Sequence, residues 1–404
     1  MVRLPSVLLA ALLAGLAPAA FASTSPPIRT QAQLQSYLRE TPIRSTPLAP
    51  LPPASRRRFL AELQFRPHGA VIHFGEPAAE LTYPQIVQLY ALFGQQPPFA
   101  DMGVTPARQR RLELERTEDA RRRGCVPAHC PESEVERRFD ALSAIKPRFS
   151  LPDAQRFTAE KRDYDRLFGG FFHDPDALRK LGAPDLRLLA RALDVAALYA
   201  VPDVGHVDQL QRVRQEMQRR GMIDDADFED LYQALIGTRQ FDAAARLRRE
   251  HPGMHAAPLP SFVHEPPPEN GRPTALSVDT RTDTMRRQAF DLGGPLRIVV
   301  IAGCHFSEDA ARAIEADAQL RPLFERHSLW LASPAQPIED VSTWDRQFPG
   351  LPMHVAWRQD EWSMLPDWGM PTYYVFRHGR LAERFHGWLG TARLKQELRR
   401  AGAL

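Results

Sequence analysis

The sequence predicts a multidomain chain, an all-α N-terminal bundle or helical array followed by an α/β domain. Three observations carry this. From 59 to about 252, apolar residues recur at spacings of three and four, as in Ile86, Leu89, Tyr90, Leu92 and Phe93, with breakers at Gly94, Pro147, Gly182, Pro202 and Gly221. The run Pro266-Pro267-Pro268 can continue neither a helix nor a central strand, which marks a boundary. Beyond it, apolar runs at 296–302, 329–332 and 353–357 alternate with helical patterns, as expected of a sheet with a parallel component. At 404 residues the chain exceeds the usual size of one hydrophobic core, so more than one folded unit is expected.

Residues 1–22 read as a cleavable signal: Arg3, an apolar stretch at 7–16, then the small residues of Ala20-Phe21-Ala22 before Ser23. The stretch is too short to span a bilayer, and no later segment reaches 18 consecutive apolar residues. The expectation is a periplasmic or secreted protein with no stable membrane insertion after cleavage. Residues 23–53 are rich in Pro, Ser and Thr with one short helical pattern at 31–40, and read as an arm. The helical domain follows at 54–252. Its clearest pair, 225–236 and 241–250, is similar in spacing to a tetratricopeptide hairpin, with an ordinary helix pair as the alternative because no second copy follows. A Pro-rich linker at 253–273 precedes the α/β domain, placed at 281–404.

Net charge is +3, and the many arginines are interleaved with Asp and Glu, which gives no support to nucleic-acid binding. Three cysteines are an odd number for an exported chain, which implies a leftover thiol or an intermolecular bond. Cys125 and Cys130 flank a short segment containing Pro127, a spacing suited to a local disulfide in an oxidising compartment. A metal site built on them with His129 lacks a visible fourth ligand, and the spacing for covalent haem attachment is missing. No cofactor or metal is expected.

The remaining cysteine closes the first strong strand pattern, in Gly303-Cys304-His305-Phe306-Ser307-Glu308-Asp309, with a helix pattern after it. A helix N-terminus presents unpaired N–H donors and about half a positive charge, which favours an anionic sulfur placed there. His305, if protonated, would add to this field. Some sixty residues on, Gly369-Met370-Pro371-Thr372 leads into the strand-like Tyr373-Tyr374-Val375-Phe376, a turn at His378-Gly379, a second strand and a closing helix. On these two motifs, residues 281–404 resemble the thioredoxin superfamily, and among its branches the exported thioredoxin-like proteins. The resemblance implies that Pro371 is a cis proline facing Cys304. It also implies that Met370, Pro371 and Thr372 bind an extended substrate peptide, the Met370 backbone pairing with it as an added strand would.

Two positions depart from the superfamily pattern. Gly303 stands where a Trp is common, and Ser307 replaces the resolving cysteine. A hydroxyl cannot release a mixed disulfide at neutral pH, so Cys304 would form such an adduct without resolving it within the motif. Ser307 is left either hydrogen-bonding the sulfur or capping the helix. The catalytic candidates are therefore Cys304, Ser307 and His305, in a possible thiol-disulfide oxidoreductase that lacks the resolving cysteine. Its expected partners are client or redox-partner proteins. The alternative is a redox-inactive thioredoxin-fold scaffold or binding module joined to a helical protein-interaction domain.

Overall fold

The computed structural model describes residues 26–404 apart from 101, 147, 149, 175, 195, 197–202 and 265–270. The expected signal at 1–22, the breakers Pro147 and Pro202 and the proline run at 266–268 lie outside the described residues. The chain divides into two compact units, 1–114 and 115–404. The division falls within a helix, Pro106–Arg122, and not at the proline-rich segment.

In the first unit, α1 (Gln31–Glu40) is opened by a capping box, with the Gln33 N–H donating to Thr30 Oγ1 at 3.2 Å and the Thr30 N–H donating back to Gln33 Oε1 at 3.1 Å. α2 (Pro53–Glu62), a short hairpin of β1 (Gln64–Arg66) and β2 (Gly69–Val71), α3 (Gly75–Glu80) and α4 (Tyr83–Ala91) follow. Their core contains Ile28, Leu34, Leu48 and Leu51 together with Phe59, Ile86 and Leu89. Residues 26–53 are thus a folded part of this unit and not an arm. Ile28, Leu34, Leu48 and Leu51, scattered among prolines, find the core, which composition alone conceals. The hairpin likewise interrupts a stretch whose pattern suggests helices only. Arg58 and Glu76, both buried, join α2 to α3 through two hydrogen bonds of 2.9 and 3.3 Å, with Ser55 Oγ accepting a further one from Arg58.

The second unit begins within α5 (Pro106–Arg122) and continues through α6 (Glu134–Ser143), α7 (Asp153–Phe168), α8 (Ala177–Lys180), α9 (Ala183–Asp194), α10 (Val204–Arg219), α11 (Glu229–Gly237) and α12 (Phe241–Glu250). Among the described residues, eight strands then form one sheet. They are β3 (Ser261–Phe262), β4 (Thr274–Asp279), β5 (Thr284–Ala289), β6 (Arg297–Ile301), β7 (Ser328–Ala332), β8 (Met353–Ala356), β9 (Thr372–Arg377) and β10 (Arg380–His386), in the order β10-β9-β6-β7-β8-β4-β5-β3. β6, β7 and β8 are parallel, while β9 runs antiparallel to β6 and pairs with β10 as a hairpin. α13 (His305–Ala316) and α14 (Leu320–His327) connect β6 to β7, α15 (Ile338–Gln347) connects β7 to β8, and α16 (Thr391–Arg400) closes the chain.

Side chains of the central strands alternate between two cores. Ile298 and Val300 of β6, Trp330 of β7 and Tyr373 of β9 face one; Val299, Ile301, Leu331 and Tyr374 face the other. The first core also takes in Leu189, Leu210, Leu231 and Leu247 from the helices, so helices and sheet share one interior. Phe262 of β3 bridges them, 4.8 Å from the Phe241 ring of α12 and 6.0 Å from Trp357. α12 ends before Pro252, and the core continues past it through Met254, Leu259 and Phe262. Arg239, in the turn between α11 and α12, donates from Nε to the Trp357 carbonyl at 3.0 Å and from Nη2 to Ala356, at the end of β8. Burial pushes its guanidinium down to about 9. The β4–β5 hairpin extends the sheet ahead of 281, and its second strand, Thr284-Met-Arg-Arg-Gln-Ala, is too polar to read as a strand.

His354 on β8 is largely buried beside Ser277 Oγ at 2.9 Å, and burial lowers its pKa from 6.5 to about 4. Between those values the unfolded chain takes up a proton that the folded protein refuses, so this residue's contribution to stability declines as pH falls from about 6.5 towards 4. Urea titrations of the wild type and His354→Asn at pH 7 and pH 4 should show the wild type losing more, by up to about 3 kcal/mol. Parallel losses in the two proteins would contradict this assignment.

Candidate functional site

β6 ends at Ile301, and three residues later Cys304 occupies the N-cap of α13 in extended conformation, with φ −125° and ψ 167°. The Cys304 carbonyl accepts the N–H groups of Ser307 (2.8 Å) and Glu308 (3.2 Å), so the backbone starts the helix and the side chain is not needed as a cap. Gly303 makes the approach possible. Its φ is +141°, and a Cβ there would stand 2.5 Å from Gln336 Oε1 and 3.2 Å from Met370 Sδ. A bulky side chain has no room there.

The Cys304 thiol is partly exposed and belongs to no disulfide. Its sulfur lies 3.4 Å from Ser307 Oγ and 3.6 Å from the Met370 carbonyl oxygen, to which the S–H donates. Ser307 is fully buried inside the first turn of α13. His305 and Phe306 point outward, their ring centroids 3.8 Å apart, and Phe306 is 51% exposed.

The Met370-Pro371 bond is cis. The loop around it is tied at several points. The Thr372 hydroxyl donates to the Gly369 carbonyl at 2.5 Å, the Gly387 N–H donates to the Pro371 carbonyl at 2.8 Å, and the Tyr374 hydroxyl bonds both the N–H and the carbonyl of Asp367. Met370 remains 40% exposed, while Pro371 and Thr372 are buried. The structure therefore brings Cys304, Ser307 and Met370 together, with Pro371 and Thr372 next in the chain and His305 turned to solvent.

Three neighbours have no motif to announce them. Gln336 leans over Gly303 and donates to Asp340 Oδ2 at 2.8 Å. Asp153 reaches the loop from α7, far away in sequence, and accepts the Trp368 N–H at 2.7 Å. Tyr373 is buried, and its hydroxyl has no partner among the described residues. Burial, then the nearby charge of Cys304, raises the pKa of that phenol. Tyr373 stacks on Phe385 at 4.8 Å and lines a cavity of about 300 Å³ beside β10 and the start of α16.

Cys125 and Cys130 are bonded to each other with their Cα atoms 5.2 Å apart. Among the described residues no group of three His, Cys, Asp or Glu side chains is placed to hold a metal ion. Of the tryptophans before the proline loop, Trp362 and Trp368 are buried in the core, and Trp357 is held between Arg239 and Arg287 at 5.5 and 4.4 Å. At the end of α5, Arg122 and the following Arg123 both pair with Asp119.

A strand delivering a cysteine to a helix N-terminus, a parallel neighbour, then a cis-proline loop, an antiparallel hairpin and a closing helix make up a thioredoxin-like fold. No family model matches the chain, and no curated protein matches it. Among solved structures it is similar to a thioredoxin-like protein from Bacteroides caccae ATCC 43185, at 12% identity and a TM-score of 0.23, over 63% of this chain and 96% of that one. The fold class rests on the strand order and the loop geometry above.

The crowding at Gly303 has a measurable consequence. Gly303→Ala should lower the stability of the protein by about 1–3 kcal/mol through combined backbone strain and displacement of Gln336 or Met370. Urea denaturation at pH 7 reads this directly, and an unchanged midpoint would mean that the loop has another way to accommodate a side chain.

Proposed function

We propose that the protein is an exported thioredoxin-like thiol protein that captures cysteines of client or redox-partner proteins as mixed disulfides through Cys304. The observation that carries this reading is the placement of the Cys304 sulfur, partly exposed at the N-cap of α13 and 3.6 Å from the carbonyl oxygen of the residue preceding Pro371. The ionised sulfur attacks one sulfur of a partner disulfide, the partner's S–S bond breaks, and the departing partner sulfur leaves as a thiolate. A new S–S bond then joins Cys304 to the partner. The Met370–Thr372 loop aligns the partner backbone beside it.

Ser307 holds the sulfur by a hydrogen bond and cannot displace it. Release falls to an external thiol, which attacks the mixed disulfide, bonds to the partner sulfur and frees Cys304. His305 stands in the first turn, where its protonated form would favour the anionic sulfur. The signal-like residues 1–22 and the Cys125–Cys130 bond support an oxidising compartment, periplasmic or extracellular. The helices of 54–252 supply further binding surface. A second reading, a thioredoxin-fold scaffold without redox activity, is favoured by the fully buried Ser307 where exchange would need a second sulfur.

The missing thiol makes the two readings separable. Wild-type protein given a disulfide-containing partner should accumulate adducts visible on non-reducing gels, persisting until an external thiol is added. Ser307→Cys, which places a sulfur where Ser307 Oγ lies 3.4 Å from the Cys304 sulfur, should let the pair close to a disulfide, shorten adduct lifetime and gain insulin reductase activity. Cys304→Ser should abolish adducts in either background. A wild type without adducts, together with a Ser307→Cys variant without reductase activity, would leave the scaffold reading standing.

A further inference from the structure

We propose that Asp153, on the first turn of α7, is a positioning residue for the Met370-Pro371 loop, so that the helical region sets the shape of the edge that partner peptides meet. This rests on the thiol-exchange reading above. Asp153 is buried, and its two carboxylate oxygens are divided between two tasks. Oδ2 accepts the backbone N–H of Trp368 at 2.7 Å, and Oδ1 pairs with Arg156 at 2.6 Å. Trp368 is itself buried and stands two residues before Met370.

Apart from the Cys304 thiol at the Met370 carbonyl, the other ties on this loop come from the sheet side. Tyr374 of β9 holds Asp367, Thr372 holds Gly369, and Gly387 after β10 holds Pro371. Asp153 is the tie from the helices, and the short distance and the anionic acceptor place it in the stronger class of hydrogen bond. A charged acceptor in a buried position is costly unless it is fully engaged, and here Arg156 and the Trp368 amide engage both oxygens. Pro152 immediately before it fixes the backbone at the start of α7, so the carboxylate is aimed by the helix and not by a mobile loop. With the tie removed, the Trp368 amide loses its acceptor and residues 366–370 keep only the sheet-side ties and the contact of Met370 with the Cys304 thiol. The sulfur, carried by β6 and α13, stays where it is.

The test compares wild type, Asp153→Ala and Asp153→Asn as full mature chains, with near-ultraviolet circular dichroism and thermal unfolding to show that each is folded. Three rates are measured at Cys304: alkylation by iodoacetamide, reaction with a small aromatic disulfide that has no peptide backbone, and mixed-disulfide formation with a disulfide-bonded peptide. Amide hydrogen exchange is followed in segments 366–372 and 298–302. The expected result for Asp153→Ala is about a tenfold loss with the peptide disulfide, the loss of one charge-assisted hydrogen bond, with the other two rates within about twofold. Exchange should rise in 366–372 and not in 298–302. Asp153→Asn, which keeps one acceptor oxygen, should recover much of the peptide rate.

Equal losses in all three rates would assign Asp153 to general stability and overturn the proposal. Unchanged peptide capture and exchange in Asp153→Ala would overturn it as well. A wild type that reacts with iodoacetamide but captures neither disulfide would instead overturn the thiol-exchange reading on which the proposal rests. Should Asp153→Ala fail to fold, Asp153→Asn carries the comparison, with a selective but smaller loss in peptide capture expected and a uniform or absent loss overturning the proposal.

Discussion

The constraint on which the α/β part of the molecule depends is the complete burial of β6 from Ile298 to Ile301. Ile298, Val299, Val300 and Ile301 have no exposed surface, and burying four such side chains contributes on the order of 10 kcal/mol relative to leaving them in water. A strand buried on both faces must also have its backbone groups paired on both edges. β7 meets it in parallel, Val300 opposite Trp330, and β9 meets it antiparallel, Val300 opposite Tyr373. The sulfur's position follows from this. A chain leaving such a strand has to turn at once onto one face, and Gly303 allows it to turn under Gln336 and Met370 before Cys304 opens the helix.

The loop opposite the sulfur is built on the same logic. Its carbonyls and amides are engaged one by one, by Tyr374, Thr372, Gly387, Asp153 and the Cys304 thiol itself. A segment held at so many points has little conformational freedom left to lose when another chain lies against it. The exposed side chains beside the sulfur, Phe306 and Met370, are apolar, and His305 adds a titratable ring. On the proposed reading, an edge with fixed backbone and apolar flanks suits a partner recognised through its main chain more than through a particular side chain.

Much of this site was legible in the sequence because its parts are local. A β-branched run, a cysteine followed by helical spacing, and a proline before an aromatic strand each announce themselves within a dozen residues. What escaped is non-local or compositionally disguised. Asp153 meets Trp368 across more than two hundred residues, and one aspartate in a polar helix start gives no sign of such a partner. The folding of 26–53 depends on Ile28, Leu34, Leu48 and Leu51, which are too widely spaced among prolines to form a periodic pattern. The polar strand β5 is in the sheet because β4 and β3 flank it, which is a property of its neighbours and not of its own residues. The 253–273 segment failed as a divider for a related reason: proline ends an element, while Phe262 within it still fills the gap between Phe241 and Trp357.

Ser307 shows what the fold retains and what it gives up. Its Cα position, one turn into α13, and its Oγ, 3.4 Å from the Cys304 sulfur, keep the geometry that a second sulfur would need. A buried hydroxyl there has an acceptor or donor in the sulfur at hand, so it is not left orphaned. The chemistry changes far more than the structure. With a thiol at this place, attack on a mixed disulfide is intramolecular and benefits from the high effective concentration of a short loop. With a hydroxyl, release becomes bimolecular and depends on whatever thiol the compartment or a partner provides. On the proposed reading, the residue that would normally make the site self-sufficient instead makes the lifetime of the captured state a property of its surroundings.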